Sequence, residues 1–360
     1  MLHCNKSIEK KMATKRALRI LVVSDLRHGY PMRQRYDAIC DIAETVYGID
    51  YSKNQPSPFT LLLWKKVSYW LFRHHIGCFP VIDNTGTNKH IIEAAERSEW
   101  DILWLDRALV VDKNTLERVR NRQPNCIIVG FSHDDMIQRH NQSKQFLEHL
   151  KCYNAFYTTK SYNVKELERL GCKRCKFINN SFDPRTHRHH EGGKKTRYSV
   201  GFVGHWEKER EQLFRILVDN GIKVHVWGGG WHNCRLKHKK FICHAEDVIG
   251  DAYAQTLCSI DINLCLLRKA NRDLQTTRSI EIPACGAFML GERTPEHQEL
   301  FREGEEADFF DSAEELIHKI RFYLNNPDRL KQVALAGHSR CLIDRYSNQD
   351  RINDILDDLL

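Results

Sequence analysis

The sequence predicts an α/β protein built from two doubly wound, Rossmann-like parallel sheets that face each other across a cleft. Three observations point there. Short β-branched runs alternate with helix-length amphipathic stretches, the pattern of a parallel sheet with helices on its faces. The alternation breaks once, at "DPRTHRHHEGGKKTR", where Pro, Gly-Gly and charge replace any period, and then resumes. A chain of 360 residues also exceeds what one hydrophobic core usually serves and suits two domains of ordinary size.

Residues 1–17, "MLHCNKSIEKKMATKRA", read as a flexible lead-in. An amino-terminal domain over 18–184 opens with the strand "LRILVVSD". It continues through "ETVYGID", "DILWLD", "NCIIVGF", "AFYTT" and "KFINN", with "TNKHIIEAAERS" and "KNTLERVRNRQ" among its helices. Residues 185–196 form the linker. A carboxyl-terminal domain over 197–345 follows with the strands "YSVGFVG", "IKVHVWGGG", "SIDINLCLL", "GAFMLGE" and "ADFF". Its best-marked helix lies in "DSAEELIHKIRFYLNNPDR". Ser312 and Glu315 make a capping box, Leu316, Ile320 and Leu324 recur every fourth residue, and Asn325, Asn326 and Pro327 stop it. Residues 346–360 end the chain in another helix.

Composition excludes some classes and leaves others open. With 41% hydrophobic and 28% charged residues the chain folds and is not a disordered protein. A formal charge of +8 suits nucleic acid, an anionic membrane or phosphorylated small molecules without choosing among them. The basic clusters "CKRCKF" and "RLKHKKF" lie apart and lack interleaved aromatics, so nucleic acid is not expected as a partner. Thirteen cysteines, odd in number and irregular in spacing, with no signal peptide ahead of them, point to a reducing cytoplasm rather than a disulfide framework. Cys172 and Cys175 have no second pair, and His232, Cys234, Cys243 and His244 do not match a zinc finger, so no metal site is expected. No run of eighteen apolar residues could span a bilayer. Residues 59–79, "FTLLLWKKVSYWLFRHHIGCF", suit either a helix packed on its own sheet, the favoured reading, or an interfacial helix resting on a membrane.

In open α/β sheets, ligands bind beyond the carboxyl ends of the strands. Three such ends suit a phosphorylated ligand. In "SVGFVGHWEKEREQLFRIL" a strand runs through Gly204 and His205 into a helix entrance carrying Lys208 and Arg210, where backbone donors and a guanidinium favour an anion. In "VHVWGGGWHN" the glycines, Gly229 among them, admit a close backbone approach. Trp231 then offers a flat face to a base or sugar, or else covers a turn as a core residue. In "TTRSIEIPACGAF", Thr276 or Thr277 caps a helix whose first amides, with Arg278, can hold a diphosphate, and Glu281 one turn on can accept two ribose hydroxyls. A surface Arg–Glu pair is the alternative there, and the small apolar "IPACGAF" speaks against it.

Taken together, "VGFVGHWEKERE", "GIKVHVWGGGW", "TTRSIEIPACGAFML" and "ELFREGEEADFFDSAEELIHKIRFYLNNPDRLKQVALAGHSRC" resemble the donor-binding half of a GT-B glycosyltransferase, specifically the spore maturation protein B-like branch of the group 1-like transferases. The likeness covers roughly residues 197–345, with looser matches such as "GFSHDD" and "INNSFDP" in the amino half. It implies a nucleotide-sugar donor, UDP- or GDP-linked, and a hydroxyl acceptor: a glycan, a lipid-linked glycan or a protein. It further implies retention of configuration, no cofactor and no metal, and a terminal helix that crosses back to the amino domain. Glu281 matches the second glutamate of a pair separated by seven residues, the one that contacts the ribose. Asp273 stands where the first would be, a departure from the pattern. Arg210 resembles the basic residue on the diphosphate, with Lys208 a second. A nucleotide-sugar-binding protein or an epimerase of the same fold is the alternative.

The amino half adds candidates of its own. The loop "SDLRHGYPMRQR" carries Arg27 and His28; His28 could bond the transferred sugar, serve as base on the acceptor, or have no role. "GFSHDDM" brings His133, Asp134 and Asp135 to a strand end, where Asp134 or Asp135 could be the base of an inverting displacement.

Overall fold

The computed structural model describes residues 15–52, 59–74, 76, 79, 81–189, 197–244 and 247–360, with the side chains of 59–65 set aside. Most of the lead-in and residues 190–196 of the linker therefore lie outside the described residues. The amino-terminal sheet holds β1 (Arg16–Ser24), β2 (Ala43–Asp50), β3 (Ile102–Asp106), β4 (Ile127–Ser132), β5 (Ala155–Thr158) and β6 (Cys175–Phe177), all parallel in the order β2-β1-β3-β4-β5-β6. Its helices are α1 (Pro31–Ile42), α2 (Phe59–Arg73), α3 (Thr87–Arg97), α4 (Lys113–Arg122), α5 (Lys144–His149) and α6 (Asn163–Arg169). Each strand rises into a helix and returns beside its neighbour, so β3 is buried along its whole length.

The carboxyl-terminal sheet repeats the plan. β7 (Tyr198–Val203), β8 (Val224–Trp227), β9 (Phe241–Cys243), β10 (Ile260–Cys265), β11 (Met289–Glu292) and β12 (Asp308–Phe310) are parallel in the order β12-β11-β10-β7-β8-β9. Around them stand α7 (Lys208–Asp219), α8 (Asp251–Cys258), α9 (Thr277–Ala284), α10 (Pro295–Leu300), α11 (Ala313–Asn325) and α12 (Pro327–Ile343). β9 escapes the sequence reading because only three residues of a lysine-rich stretch pair with β8. The Ser312 cap forms, its hydroxyl accepting the Glu315 N–H at 3.1 Å. On α11, however, Leu324 is exposed while Ile317 and Tyr323 join Leu316 and Ile320 inside, giving a wider buried stripe than a strict fourfold row.

The last helix, α13 (Asn348–Leu359), packs on α1 and the amino sheet, burying Ile352, Ile355 and Leu356 against Ile20, Val22, Ala38 and Ile39. Outgoing and returning chain cross between the lobes side by side. Phe182 donates its N–H to the Tyr346 carbonyl at 3.1 Å and accepts from Asn348 at 2.8 Å. Strand order reverses between β1 and β3 in one sheet and between β7 and β10 in the other, so the loops after β1, β7 and β10 are where a ligand site is expected.

Candidate active site

Two adjoining cavities of about 440 and 360 Å³ open at these reversals and share Pro31, His205, Thr277 and Arg278. The lower lies between the lobes and includes His133, Asp134, Lys160, Arg210, Asn271, Asp273 and Thr276. The upper runs along the carboxyl sheet past Gly204, Gly228, Gly229, Val248, Tyr253 and Glu281 to His187, with Gly29 and Tyr30 on the amino side. At Gly228 φ is +118° and a Cβ would stand 2.5 Å from the Gly204 carbonyl oxygen, so only glycine lets β7 and β8 end this close together.

At the junction of the cavities is a cluster of positive charge. α9 is capped by Thr276, whose N–H donates to Ser279 Oγ at 3.0 Å and whose carbonyl accepts the Ser279 N–H at 3.0 Å; the Thr277 and Arg278 amides between them have no acceptor within the helix and carry the positive end of its dipole. Ser279 is itself fixed by His297, which accepts its hydroxyl proton on Nε2 at 2.7 Å and donates from Nδ1 to the Glu292 carbonyl at 2.6 Å. Burial pushes the His297 pKa down to about 4, so the ring stays neutral and can accept on Nε2.

Arg210 and Arg278 both lie against the Phe202 ring, at 5.1 and 5.4 Å from its centre, and both donate to the Leu266 carbonyl, at 3.4 and 2.9 Å. The buried Nε of each has no partner. Burial, then repulsion from Arg278, lowers the Arg210 pKa to about 10 against a pull upward from Glu207. Glu207 lies 3.3 Å from Arg210 and is shared with Arg268 at 3.1 Å, so one carboxylate is divided between two guanidiniums with Arg278 close by. A cavity wall with this surplus attracts an anion with several oxygens.

Glu281 is 5% exposed and points into the upper cavity, not to solvent. Its Oε2 accepts the Tyr253 hydroxyl at 2.7 Å, and His187 Nε2 approaches Oε1 at 3.7 Å. Burial, then the charge of Glu281, raises the Tyr253 pKa, so the phenol remains a donor. His187 belongs to the stretch read as linker, but it lines the upper cavity, and at Gly286 of the carboxyl lobe a Cβ would stand 3.1 Å from His189, while Arg185 just before them pairs with Asp41 of the amino lobe at 2.6 Å.

Several candidates from the sequence lie elsewhere. Trp231 is a core residue, 6% exposed, packed among Phe202, Phe214 and Phe241, with its indole N–H spent on the Gly204 carbonyl at 2.9 Å. No face is left for a base. Lys208 starts α7 on its exposed side and lines neither cavity. His28 is exposed, and Arg27 folds onto Asp25 at 2.5 Å and over the Tyr30 ring, so the neighbours Gly29 and Tyr30 meet the cleft instead.

Asp135 is wholly buried and joins the lobes. It takes Arg272 at 2.7 and 3.0 Å and Asn163 at 2.8 Å. Burial works to raise its pKa, but these donors outweigh it and hold the carboxyl below the usual range. It is a tie, not a base. Asp134 does line the lower cavity, yet it is paired with Arg107 at 2.8 Å and accepts from Asn271 at 3.2 Å. Against burial, His133, Arg107 and Lys160 keep its pKa low, which makes it a weak proton acceptor. Asp273 faces the same cavity and is held by Lys160 at 2.5 Å. Lys160, Asn271, Arg268, Tyr253 and His187 are site residues that no local motif marks: each stands in a loop or short helix start and is placed by partners distant in sequence, across the lobes for Lys160 and Asn271 and within the carboxyl lobe for Arg268 and Tyr253.

Among the described residues no group of three or more His, Cys, Asp and Glu side chains is arranged to hold a metal ion. No described helix is long and apolar enough to cross a membrane.

Residues 208–357 match a family model described as "Glycosyl transferase-like". No curated protein matches in sequence. Among solved structures, the chain is similar to Anabaena HepE in complex with UDP-glucose (TM-score 0.62, 14% identity, 95% of this chain and 99% of that one). It is likewise similar to a glycosyltransferase from Rickettsia africae (0.61, 11%, 95% and 97%) and to sucrose-phosphate synthase from Thermosynechococcus elongatus (0.60, 11%, 95% and 99%). Two parallel six-stranded sheets with flanking helices, matched over nearly the whole chain, establish the GT-B fold.

Proposed function

We propose that the protein is a glycosyltransferase of the spore maturation protein B-like kind, taking a sugar from a nucleotide donor seated on the carboxyl lobe and passing it to a hydroxyl acceptor that enters from the amino lobe. The observation that carries this reading is the Arg210–Arg278 pair beside the first turn of α9, two adjacent guanidiniums with unmet donors in one cavity wall. A nucleoside diphosphate answers that charge. As the bond from the anomeric carbon to the diphosphate breaks, negative charge grows on the leaving oxygen, where Arg210, Arg278 and the α9 amides stabilise it without a metal.

The pairings of Asp134 and Asp135 favour retention. With both carboxylates committed to arginines, the acceptor's proton passes to the departing phosphate oxygen as the new carbon–oxygen bond forms on the same face. The upper cavity takes the nucleoside and the lower one the sugar and acceptor. The similar HepE structures are complexes with UDP-glucose and with UDP, which supports this class of donor.

A panel of UDP- and GDP-sugars with hydroxyl acceptors, read by release of the nucleoside diphosphate, tests the proposal. Tight binding with no release under any acceptor would leave a binding protein or an epimerase instead.

The acceptor side includes a surface suited to anionic lipid. In α2 Val67, Tyr69 and Trp70 are exposed beside Lys66 and Arg73, while Phe72 turns inward under the Arg139 guanidinium, 4.8 Å from its ring centre. No acidic residue stands between Asp50 and Asp83. Flotation with anionic vesicles at low salt, lost in Trp70→Ser, is the expected result; wild-type protein that stays unbound removes the membrane from the picture.

A further inference from the structure

His187 stands at the back of the nucleoside cavity yet comes from neither sheet. It closes a turn that begins where the chain leaves the amino lobe. The turn holds itself: Asp183 accepts the Thr186 hydroxyl at 2.8 Å, and the His187 N–H reaches the Asp183 carbonyl at 2.7 Å. The Asp183 N–H then donates to His187 Nδ1 at 3.0 Å. Because Nδ1 accepts a backbone proton, the neutral ring carries its own proton on Nε2, and Nε2 is the atom that faces Glu281 Oε1 at 3.7 Å. The ring is 3% exposed and meets the Tyr253 ring edge-on, at 5.7 Å between centres.

A carboxylate offers about four lone-pair directions. On Glu281 the Tyr253 hydroxyl takes one at Oε2 and His187 faces one at Oε1, so one on each oxygen remains. Tyr253 holds Oε2 by a hydrogen bond and the His187 ring faces Oε1 from 3.7 Å, so groups from different parts of the chain stand against opposite oxygens and restrict how the carboxylate can turn. We propose that His187 is a positioning residue for nucleotide recognition: with Tyr253 it aims Glu281 so that each oxygen keeps a lone pair for one ribose hydroxyl, and the site selects ribonucleotides over their deoxy forms. The inference rests on the nucleotide-sugar reading above and deepens it by naming what sets the sugar preference of the nucleotide.

The test is calorimetric binding of UDP and 2′-deoxy-UDP, with GDP and 2′-deoxy-GDP in parallel, to wild type, His187→Ala, His187→Gln and His187→Asn. Wild type favours the ribonucleotide about tenfold, the worth of one hydrogen bond to a charged group. His187→Ala loses most of that preference by weakening the ribonucleotide, which has two hydroxyls on Glu281, more than the deoxy form, which has one. Gln places its amide nitrogen near the position of Nε2 and restores the preference; Asn reaches only the position of Nδ1 and does not. That contrast stands even if the alanine variant fails to fold. Equal weakening of ribo and deoxy forms, an unchanged preference in His187→Ala, or equal behaviour of Gln and Asn overturns the role of His187 while leaving the nucleotide site intact. Wild type that binds neither UDP nor GDP overturns the transferase reading itself, and this one with it.

Discussion

Lys160 Nζ and Asp273 Oδ1 meet across the interlobe cleft at 2.5 Å, with both side chains more than nine-tenths buried. Lys160 comes from the loop after β5 and Asp273 from the loop after β10, and Lys160 also reaches the Gln275 carbonyl at 3.3 Å. The loop that precedes α9 is thus fastened to the opposite lobe. Removing one partner leaves the other charge buried without compensation, at a cost of about 3 kcal/mol. Lys160→Met should lower the urea midpoint accordingly, and adding Asp273→Leu should recover most of the loss. A single variant as stable as wild type would mean that the pair does not form in solution.

Arg210 should behave in the opposite way. It is buried beside a like charge, so Arg210→Met, which keeps its packing on Phe202, should leave the thermal midpoint of the free protein unchanged or raise it. The upward shift that millimolar UDP or GDP gives wild type should disappear in the variant, because the diphosphate has lost its partner. Donor KM in the transfer assay should rise by about ten- to a hundredfold. A variant destabilised on its own but stabilised by nucleotide as before would place the anion elsewhere.

Trp231 separates stability from binding. Deleting a buried indole costs about 3–5 kcal/mol, so Trp231→Ala should unfold at a much lower urea concentration than wild type. Trp231→Phe retains the contacts with Phe214 and Phe241 and should bind nucleotide with wild-type affinity. Loss of affinity in the phenylalanine variant would return the indole to the site.

Stability should decline in mild acid through two buried histidines. His149 donates from Nδ1 to the Val111 carbonyl at 2.7 Å and accepts the Tyr153 hydroxyl at 3.0 Å, a set only the neutral ring can make, and His297 is held in the same way. Burial lowers both pKa values to about 4, from about 6.5 when unfolded. Between those values the unfolded chain binds more protons, so stability is complete above about pH 6.5 and falls as pH drops toward 4, by on the order of 3 kcal/mol for each ring. Urea titrations at pH 7, 5.5 and 4.5 should show the decline, and His149→Gln should reduce its slope by about one proton.

Much of this molecule could be read from local pattern, because strands buried on both faces and helices with capped ends announce themselves over a few residues. Gly204, Thr277, Arg278 and Glu281 were legible for the same reason: a strand end, a helix start and a charge one turn along are local features. Lys160 and His187 were not, since a buried lysine and a linker histidine become site residues only when the other lobe supplies their partners. Trp231 was ambiguous because an indole beside glycines suits a ligand face or a core equally, and the three phenylalanines that enclose it lie 10 to 29 positions away in sequence. The pairing of Asp135 with Arg272 likewise joins residues 137 apart.

The return of α13 to the amino lobe bears on how the chain is made. When residues 18–184 have left the ribosome, their sheet still shows solvent the apolar strip along Ile20, Val22 and Ile39 that Ile352, Ile355 and Leu356 will cover. Synthesis at roughly 5–20 residues per second leaves that strip open for on the order of ten seconds while the carboxyl lobe emerges and folds. The amino lobe is first in sequence and last to be finished, and in that interval it is a surface for chaperones or for aggregation.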